Sequence, residues 1–427
     1  MRIAFVVGIF PLLSETFVLN QITGLIDRGH EVDIYALRHP PSNCKMHPHV
    51  ERYNLLAHTY YTPAIPSNVF WRQLKGFALL FTNFHKAPLI CLRSLNFFKY
   101  GRDASSLKIL YTAIPVLEQK PYDIIHCQFA CYALEILTLR EIGALQGKLV
   151  TSFRGWDISR YVKQHGDCVY DQLLATGDLF LPVCDFFRSW LVKRGYDSKK
   201  IVTHRSGIDC DKFTFTPRYL RSNNSIQIIT VGRLVEKKGI EYSIEAIAQL
   251  SQIHKNIHYY IIGDGELKEE LQHLIQYLGI SHVVTLLGQR NQQEIIEFLN
   301  NSHIFVAPSV TAQDGNQEGI PNTLKEAMAM GLPVVATKHS GISELVEDGV
   351  SGFLVPERDA DAIAQKLSYL IKHPETWADI GLAARKSVEA QYEIQKLNNE
   401  LVDIYQNLLA DKSVTYLPSG RSYYKAA

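Results

Sequence analysis

The segment IQIITVGRLVEKKGIEYSIEAIAQLSQIHKNIHYYII, residues 226–262, decides the fold of this chain. Its two ends, Ile226–Val231 and Ile257–Ile262, are short apolar runs rich in isoleucine, which is typical of strands buried on both faces. The residues between them predict a helix near 239–254. A strand, a helix and a second strand in this order indicate a parallel sheet that is covered by helices.

The same alternation continues to residue 410. Further strands are predicted at Val283–Leu286, Ile304–Ala307 and Pro333–Thr337. Helices are predicted near 266–278, 291–300, 321–330, 359–371, 374–390 and 393–410. The second half of the chain is therefore predicted to form one doubly wound α/β domain.

The first half repeats this organisation less regularly. A helix is predicted at Ser14–Arg28, after the first strand. Strands are predicted at Ile3–Gly8, Val32–Ala36, Ile124–Cys127, Lys148–Phe153, Leu179–Val183 and Ile201–His204. A chain of 427 residues is too long for one ordinary domain, so we expect two Rossmann-like parallel-sheet domains.

The predicted division of the chain is 1–207, 208–390 and a final helix with a frayed tail, 391–427. The polar segment FTFTPRYLRSNNS, from Phe213 to Ser225, has no clean periodicity and contains a proline. It is the predicted hinge between the two sheets.

Composition excludes several classes of protein. With 46% hydrophobic residues, 20% charged residues and a formal net charge of +1, the chain is neither disordered nor built for nucleic acid. Its seven cysteines include no CxxC pair, which favours a reducing cytoplasm. The apolar start, Ile3–Leu13, resembles a short signal peptide but lacks a small-residue cleavage site, so a buried strand is favoured. No apolar stretch is long enough to predict a transmembrane helix.

Residues 69–102 contain no acidic residue, and six basic residues are interleaved there with seven phenylalanine and tryptophan residues. One interpretation is a surface that lies against anionic lipid headgroups on the inner face of the plasma membrane. The other is a group of helices packed on the first sheet, whose basic residues are simply solvated. The sequence leaves both open.

The loop Gly232–Gly239 follows the first strand of the second half and leads into a helix. Ligands of open α/β sheets bind at this end of the strands. Arg233 and Lys238, five residues apart near a helix N-terminus, could clamp both phosphates of a diphosphate. Such a clamp stabilises a diphosphate that gains charge as it leaves.

The segment DGNQEGIPNTLKE, residues 314–326, also joins a strand to a helix. Pro321 suits the first helical turn, and Gly319 could let the backbone approach a ligand closely. The free amides around Ile320, Asn322 and Thr323 could face an anion or sugar hydroxyls. Glu318 and Glu326 could contact a sugar and a ribose, or Glu318 could simply be an acidic residue that the helix dipole favours at this position. Spacing alone does not decide between these.

The string DGNQEGIPNTLKEAMAMGLPVVAT, residues 314–337, closely resembles glycosyltransferase family 4, as does SGISELVEDGVSGFLVP at 340–356. The resemblance spans nearly the whole chain and includes its exopolysaccharide-type branch through GHEV (29–32) and SETFVLNQ (14–21). It implies a retaining enzyme with the GT-B fold: two Rossmann-like domains that face a cleft, with the C-terminal helix returning to the first domain.

The resemblance also implies residue roles. The family's Arg and Lys pair falls on Arg233 and Lys238, and its E-x7-E carboxylates fall on Glu318 and Glu326. IIGDGE at 261–266 matches its GxGxE turn, and SGID at 206–209 matches its inter-domain NGxD element with serine in place of asparagine. The nucleotide base is expected to meet backbone groups near Gly263 and at Leu287, Gly288 and Gln289.

One position departs from the family pattern. The family often has a histidine in a T-x-HG-x-D element near the donor sugar, whereas this chain reads TSFRGWD at 151–157. Arg154 therefore stands where the histidine would be, and Asp157 is retained. A guanidinium cannot act as a general base, although it can donate hydrogen bonds to a hydroxyl or a phosphate.

The first domain is expected to supply the acceptor side of the cleft. The loop from Gly8 to Thr16 precedes a helix that Ser14 could cap, with Glu15 and Thr16 as further contacts to the acceptor.

No metal site is predicted. The Asp-x-Asp strings at 209–211 and 359–361 are interpreted as structural, since Arg233 and Lys238 already supply positive charge.

The expected activity is transfer of a hexose from a nucleotide diphosphate sugar to a glycan or a lipid-linked oligosaccharide, without a cofactor. A sugar phosphorylase or a nucleotide-sugar epimerase on the same fold is the second hypothesis. A degenerate, non-enzymatic binding protein is the third, but the retained Arg233, Lys238 and Glu326 argue against it.

Overall fold

A computed structural model describes residues 1–12, 15–41, 46–220 and 225–411. Within these residues the strands form two parallel six-stranded sheets. The first sheet contains β1 (Arg2–Ile9), β2 (Glu31–Arg38), β3 (Thr59–Tyr61), β4 (Ile124–Cys127), β5 (Lys148–Phe153) and β6 (Leu179–Pro182). The second contains β7 (Ile226–Val231), β8 (Ile257–Ile262), β9 (Val284–Gly288), β10 (Ile304–Ala307), β11 (Val334–Thr337) and β12 (Phe353–Val355).

Helices connect and cover the strands of both sheets. In the first half they are α1 (Thr16–Ile26), α2 (Pro48–Arg52), α3 (Val69–Asn83), α4 (Pro88–Ser94), α5 (Phe97–Ser105), α6 (Lys108–Ala113), α7 (Ala130–Glu141), α8 (Arg160–His165), α9 (Asp171–Thr176) and α10 (Asp185–Lys193). In the second half they are α11 (Ile240–Ile253), α12 (Lys268–Tyr277), α13 (Gln292–Asn301), α14 (Asn322–Ala329), α15 (Ile342–Leu345), α16 (Ala360–Lys372), α17 (Trp377–Tyr392) and α18 (Ile394–Leu409).

The two sheets have the same topology. The first has the order β3-β2-β1-β4-β5-β6, and the second has the order β12-β11-β10-β7-β8-β9. In each sheet the first three strands are added in one direction, and the fourth strand is then placed on the other side of the first. This reversal opens a crevice between β1 and β4 in the first sheet and between β7 and β10 in the second. Ligands of doubly wound folds bind in this crevice, beyond the carboxyl ends of the strands.

The predicted strands of the second half are all confirmed to within two residues. In the first half the strand predicted at Ile201–His204 is wrong. This segment makes one isolated bridge, from Ile201 to Phe180, and then leaves the sheet towards the second domain. The strands β3 and β12 were not predicted, because three residues at a sheet edge are too few to show periodicity.

The hinge predicted at Phe213–Ser225 is also wrong for its described part. Phe213 is buried in the core of the second domain, and the guanidinium of Arg218 donates to the carbonyls of Asn300 (3.0 Å) and Met330 (3.1 Å). The chain crosses between domains earlier, at Ile208, whose backbone bonds to Tyr392 (2.9 Å) and Ile394 (3.0 Å). The chain therefore crosses between the domains twice, at two adjacent segments that contain Ile208 and Tyr392.

The last helix packs against the first domain. Leu401, Ile404 and Tyr405 of α18 are buried in the same cluster as Ile3 and Phe5 of β1. Nearby, the guanidinium of Arg28 in the first domain donates to Asn399 (2.7 Å) and Gln395 (3.0 Å) of α18. In the described part of the chain, no helix has the length and apolar character needed to cross a membrane.

Candidate active site

A cluster of two lysines and one glutamate lies at the carboxyl end of β7. The Nζ atom of Lys237 is 3.0 Å from Glu318 Oε1, and Lys238 Nζ is 3.2 Å from Glu318 Oε2. The three side chains are only 10–15% exposed. Burial alone would raise the pKa of Glu318, but the two lysines outweigh it and hold that pKa well below its usual range. Glu318 is therefore ionised at any working pH.

The two predicted cations occupy different environments. Arg233 is exposed at the end of β7, whereas Lys238 is largely buried at the end of a short turn, Glu236–Lys238. Burial lowers the pKa of Lys238 from its usual value, and Glu318 opposes this shift. Lys237 was not predicted as a site residue, because a lysine beside another lysine is normally solvated. The turn instead directs both ammonium groups to Glu318.

A second unpredicted residue, His339, holds the backbone of Glu318. The N–H of Glu318 donates to His339 Nε2 (3.0 Å), so the proton of the neutral ring is on Nδ1 and donates to Glu357 Oε1 (2.6 Å). The side chain of His339 is fully buried. Glu357 also accepts from the N–H of Thr311 at 2.8 Å. Glu318 is thus fixed through both its carboxylate and its main chain.

The segment that precedes α14 enters the helix one residue later than predicted and contacts the first domain. Pro321 occupies the N-cap of α14, one residue before the first helical position, while Asn322 and Thr323 begin the helix and are partly exposed. Gly319 is buried between the domains. A Cβ there would lie 2.9 Å from Val183 and 3.2 Å from the carbonyl of Arg154. The lack of a side chain at Gly319 therefore permits this contact between the domains.

Ile320 is half-buried and packs against the cores of both domains. Further along α14, Lys325 is buried and donates to the carbonyl of Ser206 (2.5 Å), at the inter-domain crossing. Burial lowers the pKa of Lys325 to about 7 and raises that of Glu326 to about 7. Glu326 is only partly buried by surface area, so a ligand can still reach it.

Arg154 is anchored by groups from three separate segments. Its guanidinium donates to Gln128 Oε1 (2.5 Å), Gln21 Oε1 (3.2 Å) and Ser206 Oγ (3.1 Å), and it lies 4.3 Å from the ring centre of Phe17. Burial lowers its pKa to about 10, which leaves it charged at neutral pH. Arg154 therefore places a fixed cation at the first domain's side of the cleft.

Asp157 lies beneath this arginine and is fully buried. Its carboxylate accepts from the backbone N–H groups of Ala130 (3.0 Å), Arg154 (2.9 Å) and Gly155 (2.9 Å). These bonds hold the loop after β5 against the start of α7. The structure thus gives Asp157, which was predicted as a residue of the cleft, a positioning role for this loop.

Glu15 occupies the N-cap position of α1 and makes no side-chain capping bond there, while Thr16 is the first helical residue. Ser14, the predicted cap, lies outside the described residues. Burial raises the pKa of Glu15 to about 7, and the charges of Arg154 and Arg233 oppose this rise. Glu15 is therefore close to cations of both domains, in the cleft between them.

Replacement of Glu15 by glutamine is expected to stabilise the protein in a pH-dependent way. The folded pKa is raised, so the folded state binds more protons than the unfolded state between pH 4.5 and about 7, and stability falls as pH rises through this window. Glu15→Gln removes this penalty, so it should add about 1 to 3 kcal/mol at pH 8 and nothing at pH 4. Urea unfolding at both pH values measures the difference. Glu31→Gln, at an exposed carboxylate, is the control, and an equal gain at both pH values would contradict the prediction.

The predicted base-binding residues lie together at one end of the second sheet. The N–H of Gly263, which follows β8, donates to the carbonyl of Gly288 at 3.0 Å. Leu287 and Gly288 are the last two residues of β9. Gly263 is partly exposed and has a φ of +150°. A Cβ there would lie 1.8 Å from the carbonyl oxygen of Gly232, so the close approach of these two loops requires glycine.

The two domains are in direct contact around this site. Lys163 Nζ donates to the carbonyl of Gln313 (2.6 Å), and the N–H of Gln317 donates to Ser159 Oγ (3.1 Å). Glu344 of the second domain accepts from the N–H groups of Asp185 (2.9 Å) and Phe186 (2.8 Å), at the start of α10. Beside these contacts, the charges of Arg154 and of Arg233 in the cationic loop both act on Glu15, so this loop comes close to Glu15 of the first domain.

Residues 14–212 match the family Glycosyltransferase Family 4, and residues 211–387 match Glycosyl transferases group 1. The amylovoran biosynthesis glycosyltransferase AmsK of Erwinia amylovora is 38% identical over 412 residues, which are 96% of this chain and all of AmsK. WcaL of Escherichia coli, provisionally assigned as a colanic acid biosynthesis glycosyltransferase, is 38% identical over 96% of this chain and its own full length. The chain therefore belongs to the glycosyltransferase family that contains AmsK and WcaL.

Solved structures of glycosyltransferases share the fold. One from Rickettsia africae superposes with a TM-score of 0.68 at 20% identity, covering 96% of this chain and 99% of its own. HepE of Anabaena, in complex with UDP and glucose, also has a TM-score of 0.68, at 18% identity, covering 95% of this chain and all of HepE. The GT-B fold predicted from the sequence is confirmed, and the protein is a glycosyltransferase.

Proposed function

We propose that the protein transfers a hexose, with retention of configuration, from a nucleotide diphosphate sugar to a lipid-linked oligosaccharide during synthesis of a surface polysaccharide. The observation that carries this proposal is the cationic loop at the end of β7, where Lys237 and Lys238 hold the buried Glu318 and the exposed Arg233 acts on Glu15 of the first domain. The full-length similarity to AmsK and WcaL supports the exopolysaccharide product, and the HepE complexes with UDP and UDP-glucose support a nucleotide sugar donor.

The roles proposed for the donor side follow from charge and position. Arg233, exposed at the edge of the cleft, and Lys238, held by Glu318, bind the donor diphosphate. Glu318 contacts the sugar, and Glu326 accepts hydrogen bonds from the ribose. The partly exposed start of α14, at Asn322 and Thr323, offers backbone N–H groups to the same ligand.

In the proposed reaction the bond between the anomeric carbon and the diphosphate oxygen breaks, and a bond to the acceptor hydroxyl forms on the same face. The acceptor's proton passes to the departing phosphate oxygen, so no protein base is required. Arg233 and Lys238 stabilise the negative charge that grows on this oxygen. Arg154, which cannot take a proton from the acceptor, donates hydrogen bonds to a hydroxyl or to phosphate.

The acceptor side belongs to the first domain, where Glu15 and Thr16 begin α1 at the cleft. A lipid-linked acceptor places the enzyme at a membrane surface, and we propose that it acts on the cytoplasmic face. The reaction needs no metal in this proposal. The carboxylate of Asp209 accepts from the N–H groups of Asp211 (3.0 Å) and Lys212 (3.1 Å), and that of Asp359 caps α16.

A thermal unfolding panel tests the donor. At a concentration of about 100 Kd, a nucleotide sugar that binds only the folded state should add about 2.7 kcal/mol of stability. We expect one of the UDP-, GDP- and ADP-sugars to raise the melting temperature clearly. The matching nucleoside diphosphate should stabilise more than the monophosphate, because the cation pair binds the second phosphate. If no nucleotide sugar raises the melting temperature, the proposed donor class is wrong.

A further inference from the structure

Three helices of the first domain, α3, α4 and α5, form an outer layer over α6. Each contacts α6, which packs in turn against α7 on the first sheet. The inner side of α3 contacts the body closely at Gly76, where a Cβ would lie 2.3 Å from the side chain of Leu107. Little room remains between α3 and the rest of the first domain, so any partner of the outer layer must approach from solvent.

The side of α3 that faces solvent is its apolar side. Phe70, Phe77 and Phe81 are 69%, 49% and 81% exposed. They lie on one stripe, at positions i, i+7 and i+11 of the helix. The stripe and its margins also include Trp71, Leu74 and Phe84, all exposed. A surface helix normally turns this stripe to the core, so α3 exposes the side that should be covered.

The next two helices also carry exposed apolar residues. Leu89 and Leu92 of α4 are exposed, and Phe97 and Phe98 begin α5 with Phe98 fully exposed. Exposed apolar residues occur singly elsewhere on soluble proteins, but a group of this size on three helices that share one support, α6, marks an interaction site. We call this surface the α3–α5 face.

Charge identifies the kind of partner. Residues 69–102 contain six basic residues and no acidic residue. Lys86 and Lys99 pair with Glu118 (3.0 Å) and Glu141 (2.5 Å), which lie outside the segment. Lys75, Arg93 and Arg102 of the same three helices are exposed, and the first two also donate to the carbonyls of Ala64 (2.8 Å) and Ile142 (3.2 Å). Exposed aromatic residues bordered by cations are typical of helices that lie in the surface of an anionic bilayer.

A second copy of the chain fits this surface poorly. In a two-fold symmetric dimer the same patch lies against itself, so the basic residues of both copies would meet without an acidic partner. The helices are also too short to cross a bilayer, since α3 has 15 residues and a spanning helix needs about 20. The remaining arrangement is a helix layer that lies flat in the headgroup region.

We infer that the α3–α5 face binds the surface of an anionic phospholipid bilayer, with the phenylalanines of α3 and α5 inserted among the lipids and the basic residues against the headgroups. This contact would hold the first domain at the membrane in which a lipid-linked acceptor resides. The inference rests on the proposed function, because it explains how the enzyme would reach a lipid-linked acceptor. Binding to the membrane can nevertheless be measured without a nucleotide sugar and without sugar transfer.

Vesicle cosedimentation of the full chain tests the inference. We expect binding to vesicles of phosphatidylcholine in which one lipid in three is phosphatidylglycerol, and much weaker binding to phosphatidylcholine alone. The triple variant Phe70→Ser, Phe77→Ser, Phe81→Ser should bind the anionic vesicles at least about tenfold more weakly. Lys75→Glu with Arg102→Glu should reduce binding by about tenfold or more, and high salt should do the same to the unmodified protein.

The matched control is Ile253→Ser with Tyr277→Ser, at isolated apolar residues of the second domain that are 72% and 87% exposed. This variant should bind vesicles as the unmodified protein does. Thermal unfolding of each variant checks that the fold is intact, and stabilisation by a nucleotide sugar checks the donor site separately. Vesicle binding without any response to nucleotide sugars would retain the membrane face and reject the proposed donor.

Three results would overturn the inference. The first is an absence of binding to either kind of vesicle, and the second is binding that the triple variant retains. The third is a dimer of the unmodified protein in sedimentation velocity that the triple variant converts to a monomer, since the face would then be a protein interface.

Discussion

Replacement of Lys238 by alanine is expected to reduce kcat by about 100- to 1000-fold while leaving the protein folded. The ammonium group of Lys238 lies 3.2 Å from Glu318, in a largely buried position where a charge acts more strongly than in water. Under the proposed mechanism it stabilises charge that develops as the diphosphate departs. Its loss therefore raises the barrier to transfer more than it weakens donor binding.

Steady-state kinetics with the donor that stabilises the protein measures this effect. Lys268→Ala is the matched control, because Lys268 is an exposed lysine of the same domain that pairs with Asp264 at 3.6 Å. The control should retain full turnover. If Lys238→Ala raises only the KM for the donor and leaves kcat unchanged, the lysine binds donor and transition state equally, and its proposed catalytic role is wrong.

Much of the fold could be predicted from the sequence, because a buried parallel strand followed by an amphipathic helix leaves a local pattern. The strand Ile226–Val231 and the helix that follows it are examples. The strands β3 and β12 left no such pattern, since each has three residues and depends on a neighbouring strand for its hydrogen bonds. The pairing of Ile208 with Tyr392 at the inter-domain crossing could not be predicted, because the two residues are distant in sequence.

The candidate site divides in the same way. Arg233 and Lys238 could be proposed because they lie in a loop at the carboxyl end of a strand, where a ligand is expected, whereas spacing left the role of Glu318 open and only the family resemblance assigned it. His339 could not be, since it holds Glu318 from 21 residues away through the backbone. The charge of Arg154 was visible in the sequence, but its anchoring by Gln21, Gln128 and Ser206 depends on how three segments meet.

Replacement of Glu318 by glutamine is expected to impair both turnover and stability. Lys237 and Lys238 would lose the carboxylate that pairs with both, which should cost about 3 kcal/mol at neutral pH. The folded pKa of Glu318 is lowered, so this stabilisation is present above the usual pKa of a glutamate and is lost as pH falls through the folded value. Urea unfolding at pH 7 and pH 3 should show the difference shrinking in acid. Turnover should fall by about 100-fold, as expected for the loss of a charged hydrogen bond to the donor sugar.

A double variant separates these two effects, because Lys237 shares the carboxylate but has no proposed contact with the donor. Adding Lys237→Met to Glu318→Gln removes one of the two unpaired cations, so most of the lost stability should return. Turnover should stay about 100-fold low, since the carboxylate that contacts the sugar is still missing. If the double variant instead regains turnover together with stability, Glu318 acts only as the counter-ion of the lysines. The proposed contact between this carboxylate and the donor sugar would then be rejected, while the cation pair of Arg233 and Lys238 would remain the ligand of the diphosphate.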